Sequence, residues 1–305
     1  MPAPAPVVRL SRRGLAWKRR RIAMAVHWTT FRRNRRGMVG LAILGAFILI
    51  AVLSPVLVGP DALDPASATG PIHAAPSWQY PLGTDNFGRS VLDLMIAGAR
   101  ISLLVGLTAA VGAIAIGAVV GITSGYFGGT WVDSALNAFT NWFLVIPWLA
   151  LAIALATIFG ATLFNVILVI AVTSWAGTAR LVRAQALSVK ERPFVERARA
   201  LGGGHWHVIT RHVLPSVFPV LFANTVLMIA LAILSETTLA ILGLSDPTAI
   251  SWGRIIESSF TAGAMTAGWW WWLVPPGVAI VMVTLAFTMV GFALDEILNP
   301  RLRHR

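Results

Sequence analysis

Six stretches of this chain are each apolar for about the twenty residues an α-helix needs to cross a hydrocarbon layer roughly 30 Å thick. They lie at approximately 38–58, 101–122, 135–159, 161–179, 213–244 and 270–294. Nothing in a bilayer core can hydrogen-bond an open backbone, so runs of this kind must form helices there. The third and fourth runs are separated by little more than Gly160, yet the apolar residues from 135 to 179 are too many for one crossing and must turn back. The expectation is an all-α integral membrane protein with six transmembrane helices.

The basic residues set its orientation. Of the 24 Lys and Arg, eleven fall within residues 1–36, seven between Arg180 and Arg211, and three at Arg301, Arg303 and Arg305. Six crossings place both termini and the loop between helices 4 and 5 on one side. Lys and Arg accumulate in cytoplasmic loops, so both termini and the loop 180–215 are expected in the cytoplasm. The other side receives 59–99 and 245–268, with Asp61, Asp64, Asp85, Asp93, Asp246 and Glu257 against only Arg89 and Arg254. The organisation expected is a basic tail 1–37, a first transmembrane helix 38–58, an external segment 59–99, a five-helix core 100–294 and a basic tail 295–305. On this reading the net charge of +12 reflects membrane topology, with no nucleic-acid partner. A twin-arginine export signal at SRRGLAWK, 11–18, is rejected. The apolar run starts only at Met38, is too long for a signal, and has no small-residue cleavage site before Pro55.

Several local features bear on packing. Gly117, Gly121 and Gly125 recur every four residues and place a close-approach face on the second span. Pro147 removes a backbone donor and is expected to kink the third. The run Trp269–Trp272 suits an aromatic belt at the membrane surface. Residues 82–100 are helix-compatible, and there Asp85 and Arg89 stand four apart, suited to a local pair or to contact with an external binding protein. Glu236 is the one acid deep in an apolar run. At that depth it should face a pathway or a polar partner within the bundle.

Familiar reaction chemistries are missing from the sequence. There is no cysteine, and neither lysine, Lys18 or Lys190, follows a glycine-rich phosphate loop. His205, His207 and His212 lack a carboxylate at zinc-ligand spacing, so no metal site is expected. No nucleophile elbow or paired acid suggests an enzyme. An ion-coupled secondary transporter would call for coupling-ion ligands and a repeat between halves, neither of which is evident.

The stretch FVERARALGGGHWHVITRHVLP at 194–215 interrupts this apolar chain with charges and three glycines. Pro193 can open a helix, Gly202–Gly204 can stop it, and Trp206–Val213 can form a second short one before the fifth span. Such a helix–turn–helix knob suits a partner's groove. The order Glu196, Ala198, Gly202, Leu214, Pro215 resembles the cytoplasmic coupling loop of bacterial ABC importer permeases: E-A-A, three residues, G, nine residues, I-x-L-P. Arg197 stands at an alanine position of that pattern and His212 at the isoleucine. YPLGTDNFGRSVLDLMIAGARISL at 80–103 is similar to the external segment of oligopeptide and dipeptide permeases, with Ser90 in place of aspartate. GYFGG at 125–129, SWAGTARLVRAQALSVKE at 174–191, SETTLAILGL at 235–244, SWG at 251–253, PPGVAI at 275–280 and NPR at 299–301 follow in that family's order. Asn141, Thr237 and Thr238 depart from its usual residues. The chain is identified as a member of this peptide/nickel family, in its C-type transmembrane subunit.

The resemblance implies one half of a translocation pore in a bacterial cytoplasmic membrane, for dipeptides or oligopeptides, with nickel complexes or another small solute as the alternative cargo. It implies four kinds of partner: a second homologous permease subunit, two cytoplasmic ATPase subunits, an external substrate-binding protein and the lipid bilayer. ATP and Mg would be bound by the ATPases, with no cofactor in this chain. Glu196, Arg197, Ala198, Arg199, Gly202, Leu214 and Pro215 would form the ATPase-coupling loop.

Overall fold

The computed structural model describes residue 25 and residues 28–298. Most of the basic tail 1–37, and NPR at 299–301 with Arg303 and Arg305, lie outside the described residues. Among the described residues every regular element is helical, and the one β feature is an isolated bridge between Thr84 and Ser90. In chain order the helices are α1 (Arg35–Leu57), α2 (Pro60–Leu63), α3 (Val91–Tyr126), α4 (Trp131–Val145), α5 (Trp148–Phe159) and α6 (Leu163–Lys190). They continue with α7 (Pro193–Ala200), α8 (His205–Val208), α9 (Leu214–Ile241), α10 (Trp252–Thr261), α11 (Ala264–Ala267) and α12 (Trp270–Leu298). Five helical stretches are long and apolar enough to cross a membrane, and the bent pair α4–α5 raises the number to six if it counts as one span. Val56, Val119, Leu231 and Val281 are exposed along these helices. A bilayer covers such side chains, so outward-facing aliphatics carry no penalty there.

Small residues draw the helices together. A Cβ on Gly117 would fall 2.7 Å from the Thr178 side chain, on Gly121 2.5 Å from the Ala179 carbonyl, and on Gly125 2.6 Å from Ala186. The glycine face of α3 is therefore a seam closed against α6, where backbones touch. Gly37 and Gly40 do the same for α1 against α12, with Ala293 and the Ala286 carbonyl at 2.7 and 2.8 Å.

Three sequence expectations need correction, and a fourth, the kink at Pro147, is met and exceeded. The stretch 82–100 is not one helix: Gly83 and Gly88 take φ of +66° and +82°, and α3 starts only at Val91. There the Ser90 hydroxyl accepts from the Asp93 amide as a cap. The kink at Pro147 is a right-angle break of 90° between α4 and α5. Ile146, extended as the residue before a proline must be, makes that turn. Trp206–Val213 is not a separate helix, because α8 runs through a π-turn, Ile209–Val213, straight into α9. The Pro215 ring cannot sit against the carbonyl four residues back, which explains the widened turn. Finally, three of the four tryptophans face inward. Trp269 stacks on His73 at 3.5 Å, Trp271 abuts Gly83, and Trp272 is buried, leaving Trp270 exposed.

Candidate functional site

The charged loop is built on a buried aliphatic row. Val195 on α7, Val208 on α8, Val213 in the π-turn and Val217 on α9 are all fully buried. This fixes which faces of the two short helices look inward. Pro193 occupies the first turn of α7, where its missing N–H leaves nothing unpaired. The helix is stopped at Gly202, whose φ is +84°. The Gly203 amide donates to the Ala198 carbonyl at 2.9 Å and the Gly202 amide to the Arg199 carbonyl at 2.9 Å. This is the Schellman arrangement, which needs a left-handed residue where Gly202 stands. Gly203 is constrained differently: a Cβ there would meet the Ala198 carbonyl at 2.6 Å, whereas one on Gly202 would meet nothing within 4 Å.

The base of the loop is clamped to the ends of α3, α4 and α6. The Tyr126 hydroxyl and His205 Nδ1 are 2.9 Å apart, and the Arg199 guanidinium lies 4.9 Å from the Tyr126 ring centre. Lys190 Nζ donates to the Gly128 carbonyl at 2.8 Å. Below them Asp133 accepts from Arg183 through both oxygens at 2.7 and 2.8 Å, from the Ser124 hydroxyl at 2.6 Å and from the Gly129 amide at 3.2 Å. Tyr126, Asp133 and Arg183 were not singled out by sequence reasoning, and His205 was weighed only as a metal ligand. The available signal was that Tyr126 lies inside GYFGG, Arg183 inside SWAGTARLVRAQALSVKE and His205 inside the charged loop.

On the outer side, Glu196, Arg197 and Arg199 are exposed, as are Arg211 and Pro215, while Ala198 is half-buried beneath them. Leu201 is 88% exposed, Trp206 77% and Leu214 37%. A rigid base thus carries charges around two protruding apolar side chains, the composition of an interface core with a polar rim. His207 and His212 approach each other at 5.9 Å between ring centres. Among the described residues no group of three or more His, Cys, Asp or Glu is placed to hold a metal.

The other two sequence candidates sit far from this loop. Glu236 is 3% exposed, with Oε1 accepting from the Ser251 hydroxyl at 2.6 Å. Ser251 also caps α10 by accepting from the Arg254 amide, so the acid ties α9 to α10. Glu236 Oε2 and the Ser245 hydroxyl are buried without a hydrogen-bond partner among the described residues, and both residues line one cavity of about 10 Å³. Asp85 is fully buried. It accepts from the Phe87 and Arg89 amides at 2.9 and 2.8 Å and pairs with the Arg89 guanidinium at 2.7 Å, which also donates to the Leu63 carbonyl. The pair braces the segment that joins α1 to α3 from within.

The description "binding-protein-dependent transport system inner membrane component" matches residues 113–304. The chain belongs to that family. A second description, the N-terminal transmembrane domain of oligopeptide transport permease C, matches residues 16–76. The dipeptide transport system permease protein DppC of Alkalihalophilus pseudofirmus is 32% identical over 275 residues, 89% of this chain and 88% of the relative. A putative peptide permease protein of Brucella suis is 32% identical over 281 residues, 91% of each chain. A putative peptide transport system permease protein of Brucella abortus is 33% identical over 274 residues, 89% of this chain and 90% of the relative. The protein is an oligopeptide/dipeptide-type ABC permease, a multi-pass protein of the bacterial inner membrane in a family of transport permeases.

Proposed function

We propose that this permease forms half of a peptide-translocation pore, and that the loop 194–215 is where a cytoplasmic ATPase docks and drives it. The observation that carries the proposal is the loop's construction. Leu201 and Trp206 protrude among Glu196, Arg197 and Arg211 from a base pinned by four buried valines, and that base continues without interruption into α9. A partner pressing on such a knob moves a span rather than bending a linker. Coupling requires contacts that differ between two states, and the outward-facing charges and apolar tips offer them. Peptide cargo is supported by what the relatives are named for, and an external binding protein would deliver it. ATP and Mg belong to the partner ATPases, and a second, homologous permease completes the pore.

Six crossings, with both termini and the loop in the cytoplasm, fit this role. α4 begins beside the C-terminal end of α6, where Asp133 meets Arg183. α5 leads into the N-terminal end of α6, where the Leu163 amide donates to Asp246. The bent pair therefore traverses the bundle from one end of α6 to the other, as a single broken span does.

The test is purification of the tagged permease from its native membrane in mild detergent, with mass spectrometry of every accompanying chain. A second six-span subunit and ATPases carrying phosphate-loop motifs are expected. A permease that comes out alone and moves solute in vesicles without ATP would overturn the proposal.

A further inference from the structure

At the end of the bundle that carries the N-terminal arginines, the helical stretch 28–33, α1, α9 and α12 enclose a lateral groove of about 460 Å³. Trp28 and Phe31 form one wall, Phe222 and Val226 the second, and Val290 and Ile297 the floor. The lining is almost wholly apolar. Phe31 packs within 3.1 Å of where a Gly37 Cβ would stand, so the groove begins where the close α1–α12 contact ends.

Its rim is charged. The Arg32 guanidinium lies 5.7 Å from the Trp28 ring centre, and Arg33, Arg35 and Arg36 are exposed on the following turn. None of the four forms an ion pair among the described residues. Glu296, an acid on the α12 side, is engaged by the Asn34 amide at 3.2 Å. An apolar slot beside several unneutralised cations matches a molecule with a long hydrocarbon part and an anionic head. Basic pockets between transmembrane helices on the cytoplasmic side hold anionic headgroups by this logic.

We propose that this groove binds one anionic phospholipid, with an acyl chain between Phe222 and Trp28 and the phosphate against the arginines. The volume agrees. A groove of about 460 Å³ has room for one acyl chain. Phe222 and Val226 stand two to three turns into α9 from Leu214, so the lipid contacts the helix that continues into the charged loop. The inference rests on membrane residence alone and is independent of cargo or of ATPase docking.

The test is native mass spectrometry of the permease, purified with whatever subunits accompany it, titrated with phosphatidylglycerol or with phosphatidylcholine of the same acyl chains. One phosphatidylglycerol per permease chain is expected, retained at least tenfold more strongly than phosphatidylcholine. Val226→Trp fills the groove and should abolish retention. The exposed-residue variant Arg32→Gln/Arg35→Gln/Arg36→Gln should reduce phosphatidylglycerol to the phosphatidylcholine level, each arginine near an anionic headgroup being worth about fivefold. Equal retention of the two lipids overturns the proposal, as does full phosphatidylglycerol retention by the arginine variant or by a folded Val226→Trp protein. Groove occupancy by a helix of an accompanying subunit, seen as its crosslink to Val226→Cys, overturns it too.

Discussion

Gly202 allows backbone conformation to be separated from side-chain contact. Its φ of +84° lies where an L side chain pays about 1–2 kcal/mol, while a Cβ at that position would touch nothing within 4 Å. The cost of a substitution there is therefore conformational. Opposing it are the two turn-closing hydrogen bonds to the Ala198 and Arg199 carbonyls, each worth about 1 kcal/mol. For Gly202→Val, at the upper end of the penalty, the two sums nearly cancel, so the turn opens in roughly half the molecules. For Gly202→Ala the penalty of about 1 kcal/mol leaves it mostly closed. Asn tolerates the left-handed region, and Gly202→Asn should keep the turn intact.

The assay is peptide uptake per ATP hydrolysed, measured on the complete assembly in proteoliposomes, with membrane insertion checked by protease protection. Coupling should fall in the order Gly, Asn, Ala, Val, while insertion stays unchanged. Normal coupling in Gly202→Val refutes the reasoning, because the turn would then be irrelevant to transmission. Equal damage from Asn and Val refutes it differently, placing the effect in side-chain bulk at a surface that has open space.

Asp133→Asn leaves the Arg183 guanidinium without its charged partner and should cost about 2–3 kcal/mol. A lowered melting temperature in detergent checks this, and Arg183→Gln in the same chain should recover part of the loss. Glu236→Gln keeps the Ser251 contact and should melt near the parent protein. Glu236→Leu takes away the acceptor of the buried Ser251 hydroxyl and should lose about 1–3 kcal/mol; equal melting of the two variants would contradict a structural role for the carboxylate. Asp246, in the loop after α9, is held below the usual carboxylate range, chiefly by the Thr248 hydroxyl and then by the Thr248 and Leu163 amides. A depressed folded value gives stability that is present above the unfolded pKa of about 4 and is lost as pH falls through the folded value. The melting-temperature gap between the parent and Asp246→Asn should therefore shrink below about pH 4, and a gap constant with pH would argue against ionised Asp246.

The apolar runs were legible because membrane crossing is a requirement on composition, and composition needs no partner to be read. Gly202 was legible for a similar reason: a helix stop followed by three glycines leaves few other backbones. Pro147 announced the place of a break but not its size. A right angle depends on α4 and α5 each finding a separate seat on α6. The start of α3 at Val91 was hidden because the preceding turn is held by Asp85, and nothing local says that a carboxylate will be buried under Arg89. The tryptophans fitted the rule for membrane surfaces, yet His73 and Gly83, some 190 residues earlier, supply their actual surroundings. Asp133 with Arg183 and Tyr126 with His205, 50 and 79 residues apart, are of the same kind. Such pairs exist only once the helices are side by side.

The stretch from His205 to Ile241 is one rod of 37 residues, about 55 Å long at 1.5 Å per residue. Pro219 lies inside it and weakens the ladder at one point. A rod hinged there has a long arm of about 22 residues, or some 33 Å. A tilt of roughly 10° at the loop would then swing the far end by about 6 Å. The Ser251 hydroxyl is held to Glu236 across only 2.6 Å. If a partner pushes on the loop as proposed, that leverage would give a displacement large enough to unfasten α10 at the far end of the rod.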